Sequence, residues 1–282
     1  MLLSEVRKLS KIEHMLKMLR SSAFIFSIFL FGCNGGGDGG GTTTSFPYSK
    51  PSLYFKSTQK IVVDVYYEPG AEPFTGSTAG GLNYWDILED NLNEIFKYRS
   101  SAPVVVVPKA LGSMTALSNN AKSSWLGTEI VALHNQTAHT DSTATEAHFY
   151  LYFLNGYYNS GSGASTSVIG VSLTGTPIIA IFKDVVESTG ANPAGPVPKY
   201  VEQSTLVHEM GHALGFVNNG VPMVSSHQDT AHGAHTTNTN CVMYWQNEGA
   251  SGLQSFVAQF ITNGTTVMWG SQVLADAQGY SQ

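Results

Sequence analysis

The sequence predicts a mixed α/β (α+β) fold, on two observations. Short runs rich in β-branched and aromatic residues recur between residues 61 and 182. They are interspersed with segments in which apolar residues return every three or four positions. The chain has 282 residues, 42% of them apolar, which is enough for one large core. From about residue 58 onward no internal repeat and no second linker interrupts it, so residues 58–282 read as one domain.

Ahead of that domain, Met1 to Arg20 is basic and polar, with Arg7, Lys8, Lys11, Lys17 and Arg20. An apolar run, Ala23 to Phe31, follows and is too short to span a bilayer as a helix. A basic stretch, a short apolar stretch and a small residue together predict a secretory signal over residues 1–32. Translation starting at Met15 or Met18 would give that signal a more ordinary length. Its end, Leu30-Phe31-Gly32-Cys33, resembles a bacterial lipobox, although Phe31 is larger than that pattern usually holds. The resemblance implies that Cys33 is the lipid-modified first residue of an exported protein, anchored to the membrane of a bacterial cell envelope. Residues 33–57 are expected to be a tether, because the Gly- and Thr-rich stretch from Asn34 to Thr44 cannot bury enough surface to order itself.

Charged residues are only 12% of the chain and the net charge is −6. Five basic groups fall within the first 32 residues, so the remainder is more acidic still. The absence of a basic run argues against nucleic acid as a partner. Of the two cysteines, Cys33 is assigned to lipid, which leaves Cys241 as a lone thiol expected to be buried.

Within the domain, Ile61 to Tyr67 reads as a strand closed by the turn Glu68-Pro69-Gly70. Tyr84, Leu88, Leu92, Ile95 and Phe96 recur at helical spacing and predict a helix over Asn83 to Tyr98. Val104 to Val107 reads as a short buried strand between two prolines, and Glu129 to His134 as another short strand. His148 to Leu154 is strongly aromatic and reads as a core strand. Val168 to Leu173 and Pro177 to Phe182 are two more strands, separated by Thr174-Gly175-Thr176. A helix is expected over Val197 to Gly215, and a further one where Leu253, Phe256, Val257, Phe260 and Ile261 keep helical spacing.

The helix ending at Gly215 carries the chemistry. Residues 208–215 read His-Glu-Met-Gly-His-Ala-Leu-Gly. Two histidines four residues apart face the same side of a helix, one turn apart, so both imidazoles can bind one zinc ion. Glu209, beside the first ligand, can take a proton from a water on that metal as the water attacks a peptide carbonyl. Gly215 suits the left-handed residue that ends a helix and turns the chain back.

This stretch resembles the metzincin motif H-E-x-x-H-x-x-G-x-x-H, and Cys241-Val242-Met243-Tyr244 resembles the Met-turn of that family, which sets Met243 beneath the metal. The resemblance implies a metzincin-like fold: a mixed twisted sheet, an active-site helix, a Met-turn and a C-terminal helical part. It also implies one zinc ion and the activity of a metalloendopeptidase. The contiguous motif would put its third ligand at Asn218, a poor ligand beside a histidine. The spacing of the archaemetzincins, H-C-x-x-x-x-C-x-M, instead matches His235, Cys241 and Met243, with Thr236 in place of the first cysteine. On this reading Asn218 to Ala234 is an insertion and His235 is the third ligand. Asn218, His227 and His232 remain the alternatives. Archaemetzincins hold a second zinc on cysteines, and this chain lacks that set, so none is expected.

Asp229, His227 and His232 could line the cleft, support the ligands from behind, bind another ion or belong to a solvated loop, and Tyr244 is expected to pack more than to contact an oxyanion. The partner implied is a peptide or protein, held as an extended strand along a sheet edge within residues 168–182 by a monomeric enzyme. The competing expectation is a non-catalytic surface binding protein that keeps the fold; the intact Glu209 speaks against it.

Overall fold

The computed structural model describes residues 44–263 and 265–282. The expected signal over residues 1–32 and Cys33 lie outside the described residues. The tether expected to reach residue 57 ends earlier. Pro51–Tyr54 form a short helix, α1, and Tyr54 and Phe55 are buried. The cause is aromatic packing: Tyr54 meets Phe149, and Phe55 meets Phe96 and Phe216.

After α1 come β1 (Lys60–Tyr67), α2 (Asp86–Phe96), β2 (Val104–Val106), β3 (Thr115–Ala116), β4 (Ser124–Leu126) and α3 (Gly127–Gln136). Next are β5 (Glu146–Leu154), β6 (Tyr157–Asn159), β7 (Ala164–Ser165), β8 (Gly170–Ser172), β9 (Ile178–Phe182) and α4 (Lys183–Ser188). The chain continues with α5 (Pro196–Leu214), α6 (Ala250–Asn263) and α7 (Ser271–Ser281). The fold is mixed α/β. Its main sheet runs in the order β2-β1-β5-β9-β8, with β3 also on β1, and a small sheet joins β4, β6 and β7. In the main sheet β1 is parallel to β2 and to β5, β5 is parallel to β9, and β8 alone is antiparallel to its neighbour. Its central strand, β5, is buried from Ala147 to Leu154, which explains the unbroken apolar and aromatic run of a strand covered on both faces. β8 and β9 form the expected hairpin around Thr174-Gly175-Thr176, with Gly175 at φ +76°.

Two expected strands differ. Glu129 to His134 lies in helix α3. Glu129 reaches back to accept the Leu126 N–H at 2.9 Å, capping the first turn, and Ile130 and His134, four residues apart, are buried together. Val104 to Val106 is a strand but not a buried one: it is the sheet edge, and Val104 is 63% exposed.

Helix α5 begins at Gly195-Pro196, with proline at a position whose N–H has no intrahelical partner. It is buried along most of its length, so its polar groups need partners. Glu202 pairs with Lys183, at the start of α4, and accepts the Phe74 N–H at 2.8 Å. The Lys183 ammonium lies 3.1 Å from the centre of the Phe74 ring. This buried group ties the end of β9 and the 68–85 loop to the helix that carries the candidate site. Lys183→Met should leave the Glu202 carboxylate buried without its cation and cost about 3–5 kcal/mol. The urea midpoint measures this, and an unchanged midpoint would refute it.

Candidate metal centre

His208, Glu209 and His212 project from the last two turns of α5. The helix stops at Gly215, which has φ +91°. The Gly215 N–H bonds the His212 carbonyl and the Phe216 N–H bonds the Gly211 carbonyl, both at 3.0 Å, the paired bonds of a Schellman end. A side chain at residue 215 would run into Pro51 and the Asn219 carbonyl. The chain therefore leaves in a fixed direction, through Val217 and Asn218, both left-handed at φ +54° and +61°.

That path carries Asn218 outward. It is exposed and donates to Gln228 at 3.2 Å. His227 is buried elsewhere, between Thr236 Oγ1 at 3.0 Å and Asp276 Oδ2 at 2.8 Å. His232 bonds Asp229 at 2.7 Å and stacks flat on Trp245, with ring centres 4.0 Å apart. His235 alone of the loop histidines turns inward. Its Nε2 lies 3.3 Å from His208 Nε2, and His212 Nε2 lies 3.1 Å from the same atom. The Thr236 N–H donates to the Met243 carbonyl, holding this segment against the turn at residues 241–244, and the Asp229 N–H donates to the His235 carbonyl within the loop. Thr236 is buried, with its hydroxyl on His227.

The turn at 241–244 closes with the Tyr244 N–H on the Cys241 carbonyl at 3.0 Å. Buried Asn247 staples it, donating to the Cys241 and Val242 carbonyls at 3.1 and 3.0 Å. Met243 is fully buried, and its sulfur lies against Gly211, where a Cβ would collide with it. Tyr244 is half-buried against Trp245. Cys241 is buried and free, accepts the Gly270 N–H, and has its thiol pushed up to about 11 by burial.

The donor set fits a metal ion. His208 Nδ1 is 2.7 Å from the Val242 carbonyl, and His235 Nδ1 is 2.6 Å from the His232 carbonyl. A carbonyl only accepts, so each Nδ1 carries the proton, and in the neutral ring Nε2 presents a bare lone pair. The Nε2 atoms of His208 and His235 lie 3.3 Å apart, where two bare lone pairs would repel unless a proton or a metal ion lay between them. A tetrahedral ion with bonds of about 2.0–2.1 Å holds its donors about 3.3 Å apart. Burial lowers His208 to about 4 and His212 well below its usual value, which favours the neutral, metal-binding form.

A fourth group joins them that sequence reasoning missed. Glu248 Oε1 lies 3.0 Å from His235 Nε2, and donor atoms of His208, His212, His235 and Glu248 all fall within 4.8 Å of one another. Burial would lower His235, but Glu248 outweighs it and raises this imidazole; that bond needs a proton on Nε2, which a metal ion held there would displace. A signal existed: Glu248 is the only acidic residue between Asp229 and Asp276, and it follows Met243 by five residues.

Glu209 is buried beneath the sheet edge. A Cβ on Gly170 of β8 would press on Thr205 and on Glu209 Cγ, so this glycine lets the helix approach the strand. Burial, followed by the charge of Glu248, pushes the Glu209 carboxyl up to about 8, while the Ser172 N–H pulls the other way.

No family model and no curated protein sequence matches the chain. Among solved structures it is similar to an archaemetzincin from Methanopyrus kandleri, at 11% identity over 79% of this chain and 96% of that one, with a TM-score of 0.40.

The raised Glu209 carboxyl makes the metal-free protein pH-sensitive. The folded chain keeps a proton that the unfolded chain loses near 4.5, so stability falls as pH rises from 4.5 through about 8. His208 has the opposite effect, but only between 6.5 and about 4. Metal-free wild type should therefore lose more stability than metal-free Glu209→Gln between pH 6.5 and 8, as read by urea midpoints at both values. Equal losses would refute the assignment.

Proposed function

We propose that the chain is a zinc-dependent endopeptidase of metzincin type. The observation that carries the reading is the convergence of three imidazole Nε2 atoms with a buried carboxylate one residue from the first of them. His208, His212 and His235 would hold the ion. When bound, it supplies Lewis acidity, activating water and polarising the scissile carbonyl. Glu209 accepts the proton of the attacking water as the water oxygen bonds to the carbonyl carbon. It then returns that proton to the amine nitrogen as the C–N bond breaks. A neighbouring cation favours the ionised carboxyl and brings Glu209 into its basic form at neutral pH.

The substrate is an extended peptide. Among the described residues β8 pairs only with β9, so its outer edge can take an added strand, with the Ser172 N–H already engaged by Glu209. This edge runs over Glu209, since Gly170 and Ser172 both approach that side chain. A backbone held there brings a peptide bond near the base and the three imidazoles.

Glu209→Gln should bind one zinc per chain and lose nearly all hydrolysis of a peptide library. His235→Ala should weaken zinc by more than about 100-fold, measured by chelator competition, whereas Asn218→Ala should bind as wild type. Wild-type cleavage rates in the Gln variant, or normal zinc binding by His235→Ala, would overturn the reading.

The lipobox-like Leu30-Phe31-Gly32-Cys33 and the glycines that follow support a second element of the proposal: the enzyme is exported and anchored to a bacterial envelope by lipid on Cys33. No helix among the described residues is long and apolar enough to cross a membrane. One acyl chain binds only marginally, so the anchor needs several. Cys33→Ser should move the protein to the soluble exported fraction. An undiminished membrane fraction would refute the lipid anchor.

A further inference from the structure

We propose that Glu248 is a displaceable fourth ligand, contributed by the protein itself, that closes the metal centre at rest and leaves when substrate binds. The inference rests on the three-histidine centre proposed above. Catalytic zinc sites keep one position open, whereas sites with four protein ligands are closed. Here the fourth position is filled from within the chain: the Glu248 carboxylate lies 3.0 Å from His235 Nε2, among the atoms that would surround the ion.

The main chain beneath Glu248 is fixed, and its side chain reaches the cluster from the solvent side. Trp245–Glu248 is one turn of 3-10 helix, and Asn247 within it is buried and stapled to the turn at 241–244. The carboxylate is therefore carried to the metal position by the same turn that supports His208 through the Val242 carbonyl. The Glu248 side chain itself is 55% exposed, against 7% for His235. Water can solvate the carboxylate once it swings away, so its departure carries little desolvation cost.

The neighbouring residue connects this group to the sheet edge. Gly249 forms a single antiparallel bridge with Val168, two residues before β8. The segment bearing Glu248 thus lies at the end of the strand edge along which a peptide would add. A substrate pairing there meets the Glu248 turn as it enters.

The test uses the folded protein loaded with cobalt(II), with azide as an external anion that needs a free coordination position. Visible absorption follows azide binding to wild type, Glu248→Gln and Glu248→Ala. Zinc affinity is measured on the same three proteins by chelator competition. The expected result has opposite signs: Glu248→Ala binds zinc at least about tenfold more weakly and azide at least about tenfold more tightly than wild type. A carboxylate that merely positions His235 would weaken zinc without opening the centre to azide. Equal azide affinities in all three proteins would therefore overturn the proposal, and would do so even if zinc affinity fell. Glu248→Gln keeps the side-chain volume, so an azide response in Gln and Ala alike excludes a folding artefact. A wild-type protein that takes up no metal would sink the three-histidine centre as well. Equal azide binding in a protein that still hydrolyses peptides through Glu209 would sink the Glu248 proposal alone.

Discussion

The hydrogen bond between His208 Nδ1 and the Val242 carbonyl is the constraint on which the candidate centre depends. It joins helix α5 to a turn 34 residues further along, and it sets the tautomer that leaves Nε2 free. The same carbonyl also takes the Asn247 amide, so one backbone oxygen aligns the helix, the turn and the short helix that follows. Met243 completes the joint by filling the space that Gly211 leaves open. With any side chain at residue 211, the turn would stand further from the helix and the His208 bond would lengthen. The glycine between the two histidines of α5 thus serves the turn beneath as much as the helix.

Much of this centre is legible in the sequence because helical spacing is rigid. His208 and His212 need only the four-residue offset to face the same side, and Gly215 marks the end of the helix by its backbone freedom. His235 is legible from its offset to Cys241 and Met243, since a short stretch ahead of a tight turn has few paths. Glu248 is not, because its approach depends on a 3-10 turn and a buried Asn247 that no periodicity reveals. The three loop histidines also look alike in sequence. What separates them is tertiary: Asp276, from the last helix, claims His227, while Trp245 covers His232.

The fold follows the same division. Strands β1, β5 and β9 and helices α2, α5 and α6 are legible because their apolar patterns are long or closely periodic. Glu129 to His134 misleads as a strand because it is short and holds Ile130 and Val131 side by side; Glu129 as a cap decides the outcome. Val104 to Val106 misleads in its burial, because the sheet order that leaves it at the edge is not written in three valines. Tyr54 and Phe55 lie just past a polar stretch, and only their ring partners, distant in sequence, show that the folded part has begun.

The His227–Asp276 pair also has a bearing on the order of assembly. His227 lies in the loop that delivers His235, and Asp276 lies in α7, where its second oxygen takes the Val224 N–H at 2.6 Å. Val224 and His227 are therefore both anchored to a helix that follows every residue of the candidate cluster in the chain. As the chain emerges from its N-terminus, His208, His212 and His235 are all present before the anchor that fixes the loop exists. A site arranged in this way matures late, and the chain has been made as far as α7 before the loop can take up its final position.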